Sequence, residues 1–166
     1  MNMRENPIIR YRTIILQPHW LQFVVNELPC LLMAGLCYVA GGMEDFPFSK
    51  LSLLAAAVLS VRLLYTFVYL RRIEYRINGE QLIMQHGVFN RKSDYLELYR
   101  IVDFNEHRNL VQQLFGLKTV TIYSGDRSNP KLDIIGVNNE FDLVTLIRER
   151  VEYNKQRKGV YEITNR

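Results

Sequence analysis

The amino-acid sequence predicts an α+β protein, in which an N-terminal two-helix transmembrane hairpin precedes an antiparallel β-barrel or sandwich with a C-terminal capping helix. Three patterns predict this class. Between Leu28 and Leu70 only four residues are charged, which is typical of membrane-spanning helices. After Arg71, apolar and polar residues alternate over short stretches, as they do in half-buried strands. Near the end of the chain, apolar residues recur every three or four positions, which indicates an amphipathic helix.

The overall composition excludes several classes of protein. Apolar residues make up 48% of the 166 residues and charged residues 23%, which excludes disordered and collagen-like chains. The net charge is +4, but the 21 basic residues are interleaved with 17 acidic ones, so nucleic-acid binding is not expected. Cys30 and Cys37 are seven residues apart, about 10 Å along a helix, which is too far for a disulfide.

Two segments are predicted to span a membrane. Leu51–Leu70 has 20 residues and one charge, and as a helix it is about 30 Å long, the thickness of a bilayer core. The first span is predicted over Trp20–Gly42, although its polar residues leave open an interfacial helix with a re-entrant hairpin. The connector Met43–Lys50 is too short for anything but an antiparallel hairpin, and a second span so close behind the first excludes a signal peptide.

Charges flanking the spans predict their orientation. The connector carries two acidic residues and one lysine, whereas basic residues collect at the opposite ends of both spans. They are Arg4, Arg10 and Arg12 before the first span, and Arg71, Arg72 and Arg76 after the second. Positive residues gather on the cytoplasmic side of membrane proteins, so both termini are expected to be cytoplasmic.

One charge of opposite sign lies inside each predicted span. Glu27 is about 10 Å from the start of the first span, and Arg62 is about 12 Å from the end of the second. Because the helices run antiparallel, the two side chains lie at nearly the same level, and an ion pair would offset the cost of burying both. Two alternatives remain for Arg62: snorkelling toward the cytoplasmic headgroups, or a bond with another subunit.

The rest of the chain predicts strands and two helices. Strands are expected at Ile73–Ile77, Leu82–His86, Tyr95–Glu97, Ile101–Asn105, Leu117–Tyr123 and Leu132–Val137, with a hairpin turn at Asn78-Gly79. A short helix is expected to start at an Asn109 N-cap, with Gln112 as capping-box partner, and to end at Gly116. Its apolar face would consist of Leu110, Val111, Leu114 and Phe115.

The final helix is predicted over Glu140 to about Lys155, with Asn139 as its N-cap. Four apolar residues at helical spacing would form its buried stripe. They are Phe141, Val144, Ile147 and Val151.

Three stretches carry a resemblance to a known family: RIEYRINGEQLIMQHGVFNRKSDYLELYRI, NLVQQLFGLKTVTIYSG, and the strand ending IIGV before the last helix. Over about Leu21–Arg157 the chain resembles the bacterial membrane-flanked pleckstrin-homology-like (PH-like) domain proteins. The resemblance implies a PH-like barrel of about seven strands with a capping helix, behind a two-helix hairpin. It also implies a membrane-anchored interaction module without a common chemistry.

The expected organisation follows from these observations. Residues 1–19 form a cytoplasmic N-terminal segment, 20–72 the transmembrane hairpin, 73–158 the cytoplasmic PH-like domain, and 159–166 a frayed tail. The protein is expected to be a multi-pass protein of the bacterial cytoplasmic (inner) membrane.

No enzyme is expected. The sequence contains no HExxH, GxSxG, Walker A or GxGxxG motif, and both cysteines lie in the first span. We therefore predict no catalytic residue, no cofactor and no metal site. Basic residues remain as candidates for a membrane-proximal or ligand-binding rim, namely Arg71, Arg72, Arg76, Arg91 and Lys92. A candidate partner surface consists of Tyr95, Tyr99, Arg100 and Arg108.

The expected function is a non-catalytic scaffold at the cytoplasmic face of the membrane that binds a protein partner or self-associates. Two alternatives stay open. The PH-like domain would bind an anionic lipid or a phosphorylated small ligand, with Arg91 and Lys92 as its contacts. Alternatively, the chain would be a structural subunit of a larger envelope complex of the secretion or conjugation type.

Overall fold

The computed structural model describes residues 11–159. The predictions for Arg4, Arg10 and the end of the tail lie outside these residues. The elements in chain order are β1 Ile14–Leu16, α1 Leu21–Gly41, α2 Ser49–Arg71, β2 Glu74–Ile77, β3 Gln81–His86, β4 Lys92–Glu97, a 3₁₀ turn Leu98–Arg100, β5 Ile101–His107, α3 Leu110–Leu114, β6 Leu117–Ser124, β7 Lys131–Asn138 and α4 Leu143–Lys158. The predicted α+β class, with two apolar helices ahead of an antiparallel β domain and a C-terminal helix, is confirmed.

The strands form two antiparallel sheets that enclose one core. The first has the order β1-β2-β3-β4 and the second the order β5-β6-β7. Alternation along the strands decides which side chains enter the core: Tyr75 and Ile77 on β2 are buried, whereas Arg76 between them is exposed. The last helix, α4, adds Leu143, Ile147 and Val151 to the same core.

The first strand comes from the segment before the hairpin, where no strand was predicted. Ile14 pairs with Ile77 and Leu16 with Tyr75, so β1 forms the edge of the first sheet. The helices α1 and α2 are therefore inserted between two neighbouring strands of the domain. A three-residue apolar run has no alternation to read, and only its pairing with β2 identifies it as a strand.

The short helix α3 has the predicted capping box, while α4 begins later than predicted. In α3 the Asn109 side chain accepts from the Gln112 backbone N–H at 2.7 Å, and Gln112 Oε1 accepts from the Asn109 N–H. The N-cap of α4 is Asp142, not Asn139, because its carboxylate accepts from the Thr145 N–H at 3.1 Å. This hydrogen bond lowers the pKa of Asp142.

The later start shifts the buried stripe of α4. Phe141 precedes the helix, contrary to the prediction, but both Phe141 and Val144 are half-buried and pack against the core. Leu143, which was not predicted, is fully buried there, and the predicted Ile147 and Val151 are buried too.

The helices α1 and α2 form an antiparallel hairpin. Small residues let them approach, since Ala34 and Ala56 are buried between them. Polar bonds also join them, from Ser52 Oγ to the Cys37 carbonyl at 2.7 Å and between Tyr38 and Ser60 at 2.9 Å. Most of the other apolar side chains on both helices point outward.

The strand directions give the domain two ends. The hairpin end adjoins the start of α1 and the end of α2, and it includes the β3–β4 loop, α3 and the connection from β7 to α4. The distal end contains the β2–β3 turn, the 3₁₀ turn and the β6–β7 loop. The His19 N–H donates to the Gly136 carbonyl at 3.0 Å and joins β7 to the start of α1.

Candidate functional site

A polar cavity of about 460 Å³ lies at the hairpin end, where α2 passes into β2. It is lined by residues from four separate parts of the chain: the β1–α1 link, the end of α2, strands β2 and β3, and the β3–β4 loop. The lining residues are Gln17, Arg71, Arg72, Glu74, Arg76, Gln85, His86, Gly87 and Arg91. We call this the basic cavity.

Local structure accounts for the arginines of the basic cavity. Arg71 ends α2 and Arg72 follows it directly. Arg76 lines the cavity from the outer face of β2, opposite the buried Tyr75. Arg91 arrives through a tight bend at Gly87, whose φ of +110° suits glycine and where a Cβ atom would lie only 2.0 Å from the Asn90 carbonyl oxygen.

The charge of the basic cavity is unbalanced. Four arginines line it against one carboxylate, Glu74, which accepts from Arg76 Nε. Among residues 11–159, no carboxylate pairs with Arg71, Arg72 or Arg91. Guanidinium groups gathered without counter-charge attract an anion, and their planar donors suit carboxylate and phosphate oxygens.

His86 adds a polar group to the wall of the cavity. Within the described part of the chain its Nδ1 has no hydrogen-bond partner and lies 3.6 Å from Asp94 Oδ2. The same β3–β4 ladder pairs His86 with Lys92.

The structure brings together four of the five predicted rim residues: Arg71, Arg72, Arg76 and Arg91 all line the basic cavity. Lys92 is exposed at the start of β4 and is not among the lining residues. Sequence reasoning missed Gln17, Gln85 and His86, which line the cavity too. Nothing in the local sequence marks Gln17, because it reaches the site only through the pairing of β1 with β2.

The predicted partner surface is divided between the two ends of the domain. Tyr95 and Arg100 both contact the β6–β7 loop at the distal end, through Asn129 and Asp126. Tyr99 accepts a hydrogen bond from Arg100 Nε, which raises the pKa of Arg100. Arg108 directly follows the other end of β5, next to the Asn109 N-cap of α3.

Glu27 and Arg62 form an ion pair across the hairpin. Arg62 Nη1 donates to Glu27 Oε2 at 2.7 Å. Of the three arrangements considered for Arg62, this is the one that the structure contains. The pair joins α1 to α2 through charge, in addition to the contacts of hydroxyl groups and the edge-to-face contact of Phe23 with Phe67.

A second cavity, of about 480 Å³, opens between β1 and β7 and has mostly apolar walls, including Leu16, Ile134 and Phe141. The Tyr75 hydroxyl lies in this gap. It donates to the Asp133 carbonyl at 3.0 Å and accepts from the Ile135 N–H at 3.3 Å. These bonds occupy outward-facing backbone groups of β7, so an added strand cannot pair with them.

The Tyr75 hydroxyl predicts a specific pH dependence. Burial raises its pKa, so the folded protein keeps the proton when an unfolded tyrosine loses it, above about pH 10. The unfolded chain then binds fewer protons, and stability falls as the pH rises. In thermal unfolding of the full chain in detergent, Tyr75→Phe is expected to be less stable at pH 8, with the difference from wild type narrowing above pH 10. A constant difference would contradict this role.

Comparison with known families agrees with this geometry. The family model described as the bacterial PH domain matches residues 25–151, more than half of the chain. The chain belongs to the bacterial PH domain family. The match includes most of α1, all of α2 and strands β2 to β7, whereas β1 and Gln17 lie outside it. No curated protein and no solved structure gave a significant match.

Membership of this bacterial PH domain family supports an interaction module in general terms. Among residues 11–159, no group of three or more histidine, cysteine, aspartate or glutamate residues is arranged to hold a metal ion. The chemistry that the described residues do assemble is cationic, and it is concentrated in the basic cavity.

Proposed function

We propose that this protein is a non-catalytic interaction module, anchored in the bacterial cytoplasmic membrane by α1 and α2, that binds the phosphate-bearing headgroup of an anionic lipid in its basic cavity. The observation that carries the proposal is the convergence of Arg71, Arg72, Arg76 and Arg91 on one cavity directly beside the end of α2.

Membrane anchoring is supported by the surface of the hairpin. Both helices are long and apolar enough to cross a bilayer, and only 6% of the apolar stretch of each helix is buried within the structure. A core helix of a soluble protein would bury its apolar face, whereas an exposed apolar surface of this extent is typical of a helix that contacts lipid or another protein. The arginines at the end of α2 favour a cytoplasmic location for the domain.

Headgroup binding is supported by size, charge and position. A volume of about 460 Å³ accommodates a phosphate with part of its headgroup. A basic residue near an anionic membrane surface contributes about 1 kcal/mol to binding. Because two of the arginines directly follow an apolar helix, the cavity would lie at the level of the lipid phosphates.

Removing two cavity charges while keeping Arg71 and Arg72 at the end of α2 tests this proposal. The double variant Arg76→Gln/Arg91→Gln is expected to bind phosphatidylglycerol about thirtyfold more weakly than wild type, from two lost contacts of about 1 kcal/mol each. Loss of Arg76 also frees Glu74 to repel the phosphate. The measurement is a titration of the full-length protein in neutral detergent, read by native mass spectrometry at two salt concentrations.

A charge-matched control separates a specific site from general attraction. Arg127→Gln/Lys131→Gln removes two positive charges from the distal end and is expected to bind like wild type. Equal binding by both double variants would refute the proposal. A parallel titration with glycerol 3-phosphate distinguishes a lipid from a free phosphorylated ligand.

The same detergent-extracted protein also tests whether the chain binds a protein partner instead. The scaffold and envelope-complex alternatives predict a defined oligomer or a stoichiometric partner after mild-detergent extraction, with or without added phosphatidylglycerol. If such a complex forms and the cavity variant binds lipid as well as wild type does, a protein-binding function would replace the proposed headgroup binding.

A further inference from the structure

The helix α3 exposes the leucines that its sequence pattern predicted as an apolar face. Leu110 is 84% exposed and Leu114 is 81% exposed, whereas the polar Gln112 between them is buried. Gln112 Nε2 donates to Thr119 Oγ1 at 2.8 Å and to Gln22 Oε1 at 3.1 Å. The helix is therefore held by its polar side and presents its leucines outward.

The contact with Gln22 determines the position of α3 relative to the hairpin. Gln22 is the second residue of α1, so α3 lies beside the start of the first apolar helix. The exposed Leu110 and Leu114 are thus placed where α1 would enter the membrane.

The exposed leucines of α3 form one apolar tip of the domain, and Phe89 forms a second beside α2. Phe89 in the β3–β4 loop is 92% exposed, and its ring stacks on Tyr65 of α2 with centroids 6.5 Å apart and an interplanar angle of 18°. Tyr65 lies six residues before Arg71, which is about 9 Å along the helix toward its middle. The loop therefore reaches past the end of α2 and down its side.

Each tip is followed or preceded by basic residues. Arg91 and Lys92 lie two and three residues after Phe89, and Arg108 and His107 lie two and three residues before Leu110, all with exposed side chains. Apolar side chains bordered by basic ones are typical of segments that lie in the interface of a bilayer.

We propose that Leu110 and Leu114, beside α1, and Phe89, beside α2, insert into the bilayer that holds the two helices, and so hold the PH-like domain in a fixed orientation on the membrane. This inference rests on the membrane anchoring proposed above and is independent of headgroup binding. The three side chains contact lipid rather than a protein partner, because Phe89 lies beside α2, where Val61 and Leu64 are also exposed apolar side chains.

Insertion of the two tips would also orient the basic cavity toward the lipid headgroups. Gly87 and Arg91, which bracket the inserted Phe89, belong to the wall of the cavity. Burying the loop tip in the interface would therefore hold this wall at the headgroup layer.

Tryptophan depth measurements test the insertion in the full-length protein. In a Trp20→Phe background, Phe89→Trp and Leu114→Trp each supply one reporter in vesicles of neutral phosphatidylcholine with brominated acyl chains. Both reporters are expected to show blue-shifted emission, severalfold quenching by bromine and protection from acrylamide. Two separate reporters keep the test valid if one variant does not fold.

Two further reporters identify which idea fails. Tyr95→Trp at the distal end is expected to be quenched by acrylamide and not by bromine, and Val58→Trp in the middle of α2 is expected to be quenched by bromine. Bromine quenching at Val58→Trp with none at Phe89→Trp or Leu114→Trp would overturn the insertion alone. Absence of quenching at Val58→Trp would overturn the anchoring as well. Because the vesicles contain only neutral lipid, the result does not depend on whether the basic cavity binds an anionic headgroup.

Discussion

Replacement of Arg150 by alanine is expected to lower the free energy of unfolding of the domain by about 3 kcal/mol or more. The Arg150 side chain is buried and donates to three backbone carbonyls, those of Ile77 at 2.7 Å, Asn78 at 3.0 Å and Arg12 at 3.0 Å. Burial lowers the pKa of Arg150. Alanine would leave these carbonyls unsatisfied and remove the link from α4 to the approach to β1 and to the β2–β3 turn.

Chemical unfolding of the full-length protein in detergent, followed by near-ultraviolet circular dichroism, measures this effect. Arg150→Lys is expected to be intermediate, because one ammonium group cannot reach all three carbonyls with the geometry of a guanidinium. Arg148→Ala, two residues earlier on the exposed side of α4, serves as the control and is expected to unfold close to wild type. A midpoint for Arg150→Ala equal to that of Arg148→Ala would contradict the proposed link.

Removal of Glu27 is expected to destabilise the hairpin more than removal of both charges. Glu27→Ala leaves Arg62 without the carboxylate that lies 2.7 Å from it, in the middle of an apolar helix. An unpaired charge in an apolar phase is costly, whereas replacing a whole ion pair by apolar residues is often close to neutral. Glu27→Ala is therefore expected to lower the thermal midpoint by several degrees, and Glu27→Ala/Arg62→Leu to recover most of the loss.

The complete double-mutant cycle provides the control. Arg62→Leu alone leaves Glu27 unpaired and is expected to be destabilised, so that the effects of the single variants are not additive. Additive effects would mean that the two charges do not stabilise each other. The cycle is measured on full-length protein in neutral detergent, and repeated in bilayers by the yield of correctly inserted protein.

Local patterns in the sequence predict much of this fold. The capping box at Asn109 and Gln112 and the two long apolar helices depend on residues close together in the chain, and all are present. The predicted hairpin also forms, but Asn78 pairs with Gln81, so the turn residues are Gly79 and Glu80 rather than Asn78 and Gly79. The start of α4 was misplaced by three residues because two polar residues, Asn139 and Asp142, both suit an N-cap. Only the packing of Leu143 into the core decides between them.

The candidate site depends on contacts that are distant in sequence. Arg76 and Arg91 were predicted as a rim from their places on a strand and a turn, but their convergence with Arg71 requires the bend at Gly87 and the pairing of β2 with β3. The burial of Gln112 in place of the leucines of α3 likewise depends on Gln22, ninety residues earlier.

Neighbouring residues are enough to specify the elements of this protein, namely two apolar helices, alternating strands and their caps, because periodicity and capping are local properties. Folding in three dimensions was needed to place β1 in the sheet ahead of the hairpin, to bring four arginines to one cavity, and to turn Phe89, Leu110 and Leu114 outward at the hairpin end. The difference arises because burial and charge compensation are properties of surroundings. A side chain is buried, or a cation left without a counter-charge, only with respect to residues that folding brings beside it.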